Sequence, residues 1–336
     1  YLELHRGTYT TQGLIKKYNR DMEIALHDIE FLGTMVKNYS KEVIDQIWKD
    51  TLLNQFHDIL PGSSIKWVYE DAHTLSEQNF DKLEDLFEEF FSQLFDIRYD
   101  DQLKGCYVAY NALSWEKKEL IRYQIADDRH YKVTDSNGKT IPWIINHGHI
   151  EFYVKIPSMG YTTFKIEKEK KISEQKHTGK ASLTITEKAI ELENKYVKVT
   201  IDETGIISSI YDKEKEFEMV KFANKLLLWE DLPTNWEAWD INHYYKETKP
   251  EQAQRGSIKL LCDDGHKIGI EQKLTIGNSS IIQTITLGSD TKEVRIDNDV
   301  EWNEEKKFLK VHADTNIHSA TATYEIQFGN IKRPTH

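Results

Sequence analysis

The chain has 336 residues, 39% hydrophobic and 30% charged, and its 44 basic and 56 acidic side chains give 44 − 56 = −12 as the formal net charge. This composition is typical of a soluble globular protein of about two domains and excludes a disordered chain. The negative charge, without a basic stripe interleaved with aromatic residues, argues against nucleic acid as a partner, and no apolar run approaches the ~20 residues of a membrane span.

Only two cysteines occur, Cys106 and Cys262, far apart in sequence. They predict a reducing, cytoplasmic location in which both thiols are buried and inert.

Both ends of the sequence have the pattern expected of a piece of a longer protein. Residues 1–11 alternate like the end of a strand and lack an initiator methionine, and residues 329–336 follow directly on a strand-like run. We therefore expect residues 1–12 to be the tail of a missing N-terminal domain. We also expect the C-terminal β region to be truncated.

Three helices are predicted after this tail. In the first, apolar residues recur every three or four positions over residues 14–36, which marks a single buried stripe, and Lys16 is placed on its solvated face. A second helix is predicted over residues 40–56, and a third over about residues 64–95. Helices with one apolar face each, joined by short links, bury those faces most simply against each other. Residues 13–103 are thus predicted to be a three-helix-bundle middle domain.

The link between the second and third helices is a sharp break, with the sequence LNQFHDILPGSS over residues 53–64. Pro61 moves the residue before it out of helical dihedrals, and Gly62 permits a chain reversal. Ser63 or Ser64 is a good N-cap for the helix that follows. The break therefore predicts a rigid corner.

His57 and Asp58 are expected at the end of the second helix, beside this corner. Neighbouring helical side chains point about 100° apart, so the two could serve different partners. The residues alone leave two interpretations open. One is a metal ligand beside a hydrogen-bonding carboxylate, and the other is a packed histidine that compensates the helix dipole.

From about Gly105 the pattern changes to short alternating runs separated by Gly, Asn, Asp and Pro, which is typical of half-buried strands. Residues 104–168 are predicted to be a small β domain and residues 181–336 a large β-sandwich domain. The polar stretch 167–180 is predicted to link them. Strands are predicted at residues 107–111, 120–125, 150–156, 196–201, 205–211 (after a hairpin turn at Gly205), 268–276, 281–287, 293–302, 308–313 and 320–328. The predicted fold class is a multidomain α + β protein, a three-helix bundle followed by an antiparallel β-sandwich region, mainly β.

Residues 229–242 form a loop-like stretch with three tryptophans and four carboxylates. Aromatic faces that stack on pyranose C–H groups, with acids that bind hydroxyls, would make a sugar platform, and a carboxylate pair could hydrolyse a glycosidic bond. Alternatively, the tryptophans fill a gap in the sandwich and the acids face water. The sequence leaves both interpretations open.

Four stretches, in order along the chain, resemble the glycoside hydrolase family 38 α-mannosidases, most closely the bacterial and the cytosolic or vacuolar branch. The resemblance extends over essentially the whole chain. The stretches are residues 5–20 (HRGTYTTQ, then KKYNR), 53–65 (LNQFHDILPGSSI), 236–241 (WEAWDI) and 329–336, which ends in RPTH.

The resemblance implies a retaining, zinc-dependent exo-α-mannosidase that hydrolyses terminal α-linked mannose. In that family a (β/α) catalytic domain precedes the three-helix middle domain and the C-terminal β domains. It implies Zn2+ as cofactor, a mannose-containing oligosaccharide as substrate, and His57 as one of four zinc ligands. Asp58 matches the aspartate that hydrogen-bonds the bound sugar.

The nucleophile, the general acid and the other three zinc ligands belong to the catalytic domain in that family, so no catalytic residue is assigned here. We expect this fragment alone to be folded, metal-free and inactive, with the missing N-terminal catalytic domain as its partner and a homo-oligomer possible. The alternative hypothesis is a non-catalytic carbohydrate-binding or assembly module, with no nucleic acid and no membrane as partner in either case.

Overall fold

The structure is a computed structural model that describes residues 5–95, 106–125, 131–146, 148–168, 181–263, 267–326 and 329–335. The chain divides into two compact units. The first comprises residues 1–176 and 232–243, and the second comprises residues 177–231 and 244–336. The fold class expected from the sequence is confirmed, since three helices come first and antiparallel sheets follow.

The helices belong to the first unit: α1 spans Gly13–Gly33, α2 Lys41–Asn54 and α3 Lys66–Leu94, after a 3-10 turn at Gly7–Tyr9. Their shared core contains nine buried side chains: Met22, Leu26, Ile29, Leu32, Ile44, Ile47, Leu83, Leu86 and Phe90.

The predicted apolar stripe of α1 is wrong at its first position. Leu14 is 44% exposed, whereas the next residue, Ile15, is 2% exposed and packs with Tyr69 and Ala72 of α3. Ile59 and Leu60, from the link between α2 and α3, cover the same cluster. The buried position is residue 15 and not residue 14 because the start of α1 packs against this link as well as against the bundle.

Two three-stranded sheets complete the first unit, one in the order β1-β6-β3 and the other in the order β2-β5-β4. They enclose a core that includes Tyr131, Phe152 and Phe164. Residues 167 and 168 belong to β6, so the predicted linker starts too early, and residues 169–180 lie outside the described residues. The strands are β1 Cys106–Asn111, β2 Lys117–Gln124, β3 Tyr131–Asp135, β4 Trp143–Asn146, β5 His149–Ile156 and β6 Gly160–Lys168.

The second unit is built from strands. They are β7 Ser182–Ile185, β8 Ala189–Glu193, β9 Val197–Asp202, β10 Ile207–Asp212, β11 Phe217–Glu218, β12 Val220–Glu230, β13 Glu251–Gln252, β14 Gln254–Asp263, β15 Lys267–Ile276, β16 Ser279–Gly288, β17 Val294–Glu301, β18 Lys307–Thr315, β19 Thr321–Ile326 and β20 Gly329–Pro334. The predicted β9–β10 hairpin is confirmed, with Gly205 at φ +88° in its turn.

An eight-stranded sheet and the four-stranded sheet β14-β15-β16-β17 share one apolar core, as expected of a sandwich. The larger sheet follows the order β13-β12-β10-β9-β8-β7, and β11 and β18 pair with β10 and β12. Strand β12 was not predicted. Its apolar side chains run consecutively at Leu226–Leu228, where all three are buried, so the period of two is absent.

Four amide side chains of the second unit are joined by hydrogen bonds, and we call them the amide network: the buried Asn224, Gln272 and Gln283, and the exposed Asn298. Gln283 Oε1 accepts hydrogen bonds from Gln272 Nε2 at 2.8 Å and Asn224 Nδ2 at 2.7 Å. Its Nε2 donates to Asn224 Oδ1 at 3.0 Å and Asn298 Oδ1 at 2.7 Å. Gln283 is therefore the centre of the network.

The expectation that both cysteines are buried is wrong for Cys106, which is exposed at the start of β1, whereas Cys262 is buried. Cys106 alternates with inward-facing neighbours on an edge strand, and this places its side chain outside the core. None of the helices in the described part of the chain combines the length and the apolar character needed to cross a lipid bilayer.

Candidate functional site

His57 and Asp58 lie in the link between α2 and α3, which we call the HD loop (residues 55–65). The prediction that they end the second helix is wrong, because α2 stops at Asn54. The loop is a series of tight turns in which Ile59 N donates to Phe56 O at 2.9 Å and Gly62 N donates to Ile59 O at 3.1 Å. The corner predicted at Pro61 is thus present, but it lies within a longer folded loop.

Asp58 is the residue around which the loop closes. Ser63 Oγ donates to its carboxylate Oδ1 at 2.9 Å, and Ser64 Oγ donates to its carbonyl oxygen at 2.9 Å. The hydroxyl of the buried Tyr69 donates to the same carbonyl at 3.1 Å and accepts from Ser64 N at 2.9 Å. The predicted N-cap role of Ser63 and Ser64 is wrong, since Ile65 occupies the N-cap position of α3. The two serines bind Asp58 instead.

The side chains of the pair face solvent. The His57 side chain is 73% exposed and that of Asp58 40%, and His57 Nε2 lies 3.6 Å from Asp58 Oδ2. The imidazole packs on the neighbouring Phe56, with ring centroids 4.2 Å apart. One carboxylate oxygen is held by Ser63, and the exposed part of the pair can bind a ligand from outside the loop.

The donor set fits one position of a zinc site and not a complete one. Structural and catalytic zinc sites take three or four protein ligands from His, Cys and carboxylates. Among the residues that the structure describes, no group of three or more such side chains is placed to hold a metal ion. His57 can therefore supply one imidazole, but the described residues do not hold zinc by themselves.

Large apolar side chains within the HD loop and next to it are also exposed. Five of them, each more than half exposed, are Leu52, Leu53, Phe56, Ile65 and Trp67. Exposed apolar groups near a polar pair are typical of a surface that another protein segment or a ligand covers.

The three tryptophans of the stretch 229–242 have different surroundings. Trp229 is still part of β12 and packs against Tyr245 and His312, with ring centroids 5.3 and 6.4 Å away. Trp239 lies in the first unit, 4.9 Å from the ring of His5, and its carbonyl accepts from Gly7 N at 2.9 Å. Trp236 is exposed. The loop predicted from residue 229 therefore begins later, after β12 ends at Glu230.

Sequence reasoning missed one residue at the site. The sequence predicts Lys16 on the solvated face of α1, but it is half-buried and donates to two backbone carbonyls, one of them in the HD loop. The neighbouring Lys17 does lie on that face, paired with Asp21 at 2.6 Å. Lys17 has an acidic partner one helical turn away, Asp21, whereas the residue at the same spacing from Lys16 is Arg20, so the sequence indicates a surface ion pair for Lys17 alone. The two carbonyl partners of Lys16 come together only in the folded chain.

Two family models match the chain. Residues 3–94 match the alpha mannosidase middle domain, and residues 192–336 match the glycosyl hydrolases family 38 C-terminal domain. Three curated relatives match over the whole chain: alpha-mannosidase 2C1 of Mus musculus (31% identical), alpha-mannosidase of Saccharomyces cerevisiae (30%) and alpha-mannosidase G of Dictyostelium discoideum (28%). The chain covers 31%, 28% and 34% of their respective lengths, or about a third.

The fold is shared with solved structures from Enterococcus faecalis. One, described as a protein in glycosyl hydrolase family 38, superposes with a TM-score of 0.75 at 15% identity, over 98% of this chain and 48% of its own. Another, described as an alpha-mannosidase, also gives 0.75, at 16% identity, over 99% of this chain and 46% of its own.

Proposed function

The chain belongs to glycosyl hydrolase family 38 through its middle and C-terminal domains, and we propose that it is part of a retaining exo-α-mannosidase acting on terminal α-linked mannose. Relatives that bear the name alpha-mannosidase match along the entire chain, which supports this activity. A mannose-containing oligosaccharide in the cytoplasm is the proposed substrate.

The observation that carries the proposal is the HD loop. Asp58 is held by Ser63 on one oxygen and remains 40% exposed. Carboxylate oxygens accept hydrogen bonds, so a sugar hydroxyl that donates one fits this position. We assign Asp58 to substrate binding.

His57 is proposed as one zinc ligand, with the remaining donors supplied from outside the described residues. Support comes from its exposed imidazole and from the exposed apolar side chains around it, which a catalytic domain would cover. By the same reasoning we propose that this chain by itself is inactive, because His57 and Asp58 have no third metal-ligating neighbour in the described part of the chain.

The test is a pair of substitutions in the complete protein, each with a matched control. His57→Ala is expected to abolish bound zinc, measured by atomic absorption after dialysis, and nearly all hydrolysis of a nitrophenyl α-mannoside. His27→Ala is the control, since His27 is also exposed and also lies beside an aspartate, at 3.2 Å. Full activity and zinc content in His57→Ala would reject the assignment.

Asp58→Asn is expected chiefly to raise KM, because the amide keeps the shape of the side chain but loses half of its accepting oxygens. Asp45→Asn serves as the control, since Asp45 is similarly exposed and pairs only on the surface with Lys41. An unchanged KM for Asp58→Asn would exclude sugar binding at this carboxylate.

A second candidate function is non-catalytic sugar binding at Trp236. This residue is 71% exposed and has φ +64°, a backbone conformation that costs a bulky residue about 1–3 kcal/mol and that is often found at functional positions. Calorimetry of this chain with mannose and mannobiose separates the two hypotheses. Binding that Trp236→Ala removes, and that substitution of the exposed Trp115 to Ala leaves intact, would favour the binding module.

A further inference from the structure

The side chain of Lys16 joins two segments that are far apart in sequence. Its ammonium donates to the carbonyl oxygen of Thr11 at 2.5 Å and to that of Leu60, 44 residues away, at 2.6 Å. Thr11 lies just before α1, and Leu60 lies in the HD loop, two residues after Asp58. Lys16 therefore connects the start of α1 to the HD loop.

The same two segments approach each other at a second point. Gly62 has φ +95°, and a Cβ atom at this position would lie 2.6 Å from the carbonyl oxygen of Thr11. Below them, Ile15 packs in a cluster with Ile59 and Leu60. The HD loop is thus fixed against residues 11–16 by a polar contact, by close backbone packing and by an apolar contact.

The two acceptors of Lys16 are backbone carbonyls, whereas the neighbouring Lys17 binds a carboxylate on the surface. Lys16 is half-buried, so its ammonium is partly withdrawn from water at a cost, and this burial lowers its pKa. Two oriented carbonyl dipoles offset part of this cost. If the ammonium were removed, both carbonyls would lose their common donor, and the polar tie between α1 and the loop would be lost.

We infer that Lys16 is a positioning residue that holds the HD loop, and hence Asp58 and His57, in the geometry in which they bind their ligands. The expected effect of Lys16 on catalysis rests on the proposed function. Its expected effect on the HD loop rests on the contacts described above. The ammonium of Lys16 binds main-chain oxygens. It acts through Leu60 on the loop that carries the ligand-binding pair.

The experiment compares Lys16→Met, Lys16→Arg and Lys17→Met in the complete protein. Methionine keeps the length and the apolar stem of the side chain but has no donor, and arginine keeps donors for two carbonyls. Hydrogen exchange reports on the loop directly, at the amides of Ile59, Leu60, Gly62 and Ser63, which donate to other loop carbonyls. The kinetics of a nitrophenyl α-mannoside report on the consequence for catalysis, and circular dichroism shows that each variant is folded.

Lys16→Met is expected to accelerate exchange at these four amides and to lower kcat/KM by roughly 10–100-fold, the usual effect of losing a group that orients a ligand-binding side chain. Lys16→Arg is expected to restore most of the protection and of the activity. Lys17→Met is expected to change neither. A purely structural role would lower stability without this selective loss of protection in the loop and without rescue by arginine.

Unchanged exchange and unchanged kcat/KM in a folded Lys16→Met protein would overturn the inference. So would a kinetic loss of equal size in Lys17→Met. If the unsubstituted protein hydrolyses no mannoside, the proposed function fails, but the exchange measurement still decides whether Lys16 holds the loop. The two failures are therefore distinguishable.

Discussion

Gly62→Ala tests the packing that fixes the HD loop. Alanine at φ +95° would adopt left-handed backbone angles, which cost an L-residue about 1–2 kcal/mol. Its Cβ would also lie 2.6 Å from Thr11 O and 2.8 Å from Thr11 C, and these are backbone atoms that cannot rotate away. Overpacking of this kind costs about 1–3 kcal/mol more. We expect a total loss of about 2–5 kcal/mol of unfolding free energy.

Gly138→Ala is the matched control in the same unit. Gly138 also has a left-handed backbone, with φ +77°, but beyond its chain neighbours no atom lies within 4 Å of the place that a Cβ would take, so alanine there meets open space. It should lose only the backbone cost of about 1–2 kcal/mol. The gain from a less flexible unfolded chain is the same for both substitutions and cancels in their difference.

Urea unfolding followed by far-ultraviolet circular dichroism measures both variants. The difference between them, about 1–3 kcal/mol, isolates the contact between Gly62 and Thr11. Equal losses in the two variants would refute the argument that the HD loop is closely packed on residue 11. A loop displaced by Gly62→Ala should also raise KM for a nitrophenyl mannoside, since Asp58 moves with it.

Three further outcomes are expected from other parts of the chain. Gln283→Leu should cost about 2–4 kcal/mol in urea unfolding, because two of its partners, Asn224 and Gln272, stay buried and each group left unsatisfied costs roughly 1–3 kcal/mol; a loss below that of an exposed glutamine substitution would contradict this. The hydrogen bonds from Arg295 hold the pKa of Asp297 below its usual value, so the carboxylate stabilises the fold above its unfolded pKa of about 3.9, and this contribution is lost as the pH falls through the lower folded value. The melting temperatures of the unsubstituted protein and of Asp297→Asn should therefore converge in acid, and a gap that widens there would have the wrong sign. Trp239→Ala should destabilise more than Trp236→Ala, which should stay within about 0.5 kcal/mol because its indole is exposed; the reverse order would show that the packed tryptophan has been misidentified.

Much of the fold follows from periodicity. The stripe of α1 and the alternation in β9, β15 and β16 reflect one buried face each, and such patterns are legible in a sequence. Strand β12 is buried over three consecutive residues, and its pattern carries no period of two. It is the kind of element that a periodicity argument misses.

The site was only partly predictable. His57, Asp58 and the Pro61–Gly62 break are local features, so the sequence points to them. The roles of Ser63 and Lys16 depend on which atoms the folded chain brings near them. A serine before a helix can accept a hydrogen bond from a helix N–H or donate its hydroxyl to another group, and here Ser63 donates to the carboxylate of Asp58.

Because Lys16 donates to main-chain oxygens, the side chains at positions 11 and 60 matter little to these two hydrogen bonds. Saturation mutagenesis should find positions 11 and 60 permissive with respect to this tie, since most replacements keep the carbonyl in place, but positions 16 and 62 intolerant. A comparison of related sequences would then show variation at one end of each contact and constraint at the other. Methods that detect pairs of positions that change together would therefore not detect the contacts of Lys16 and Gly62 with residues 11 and 60.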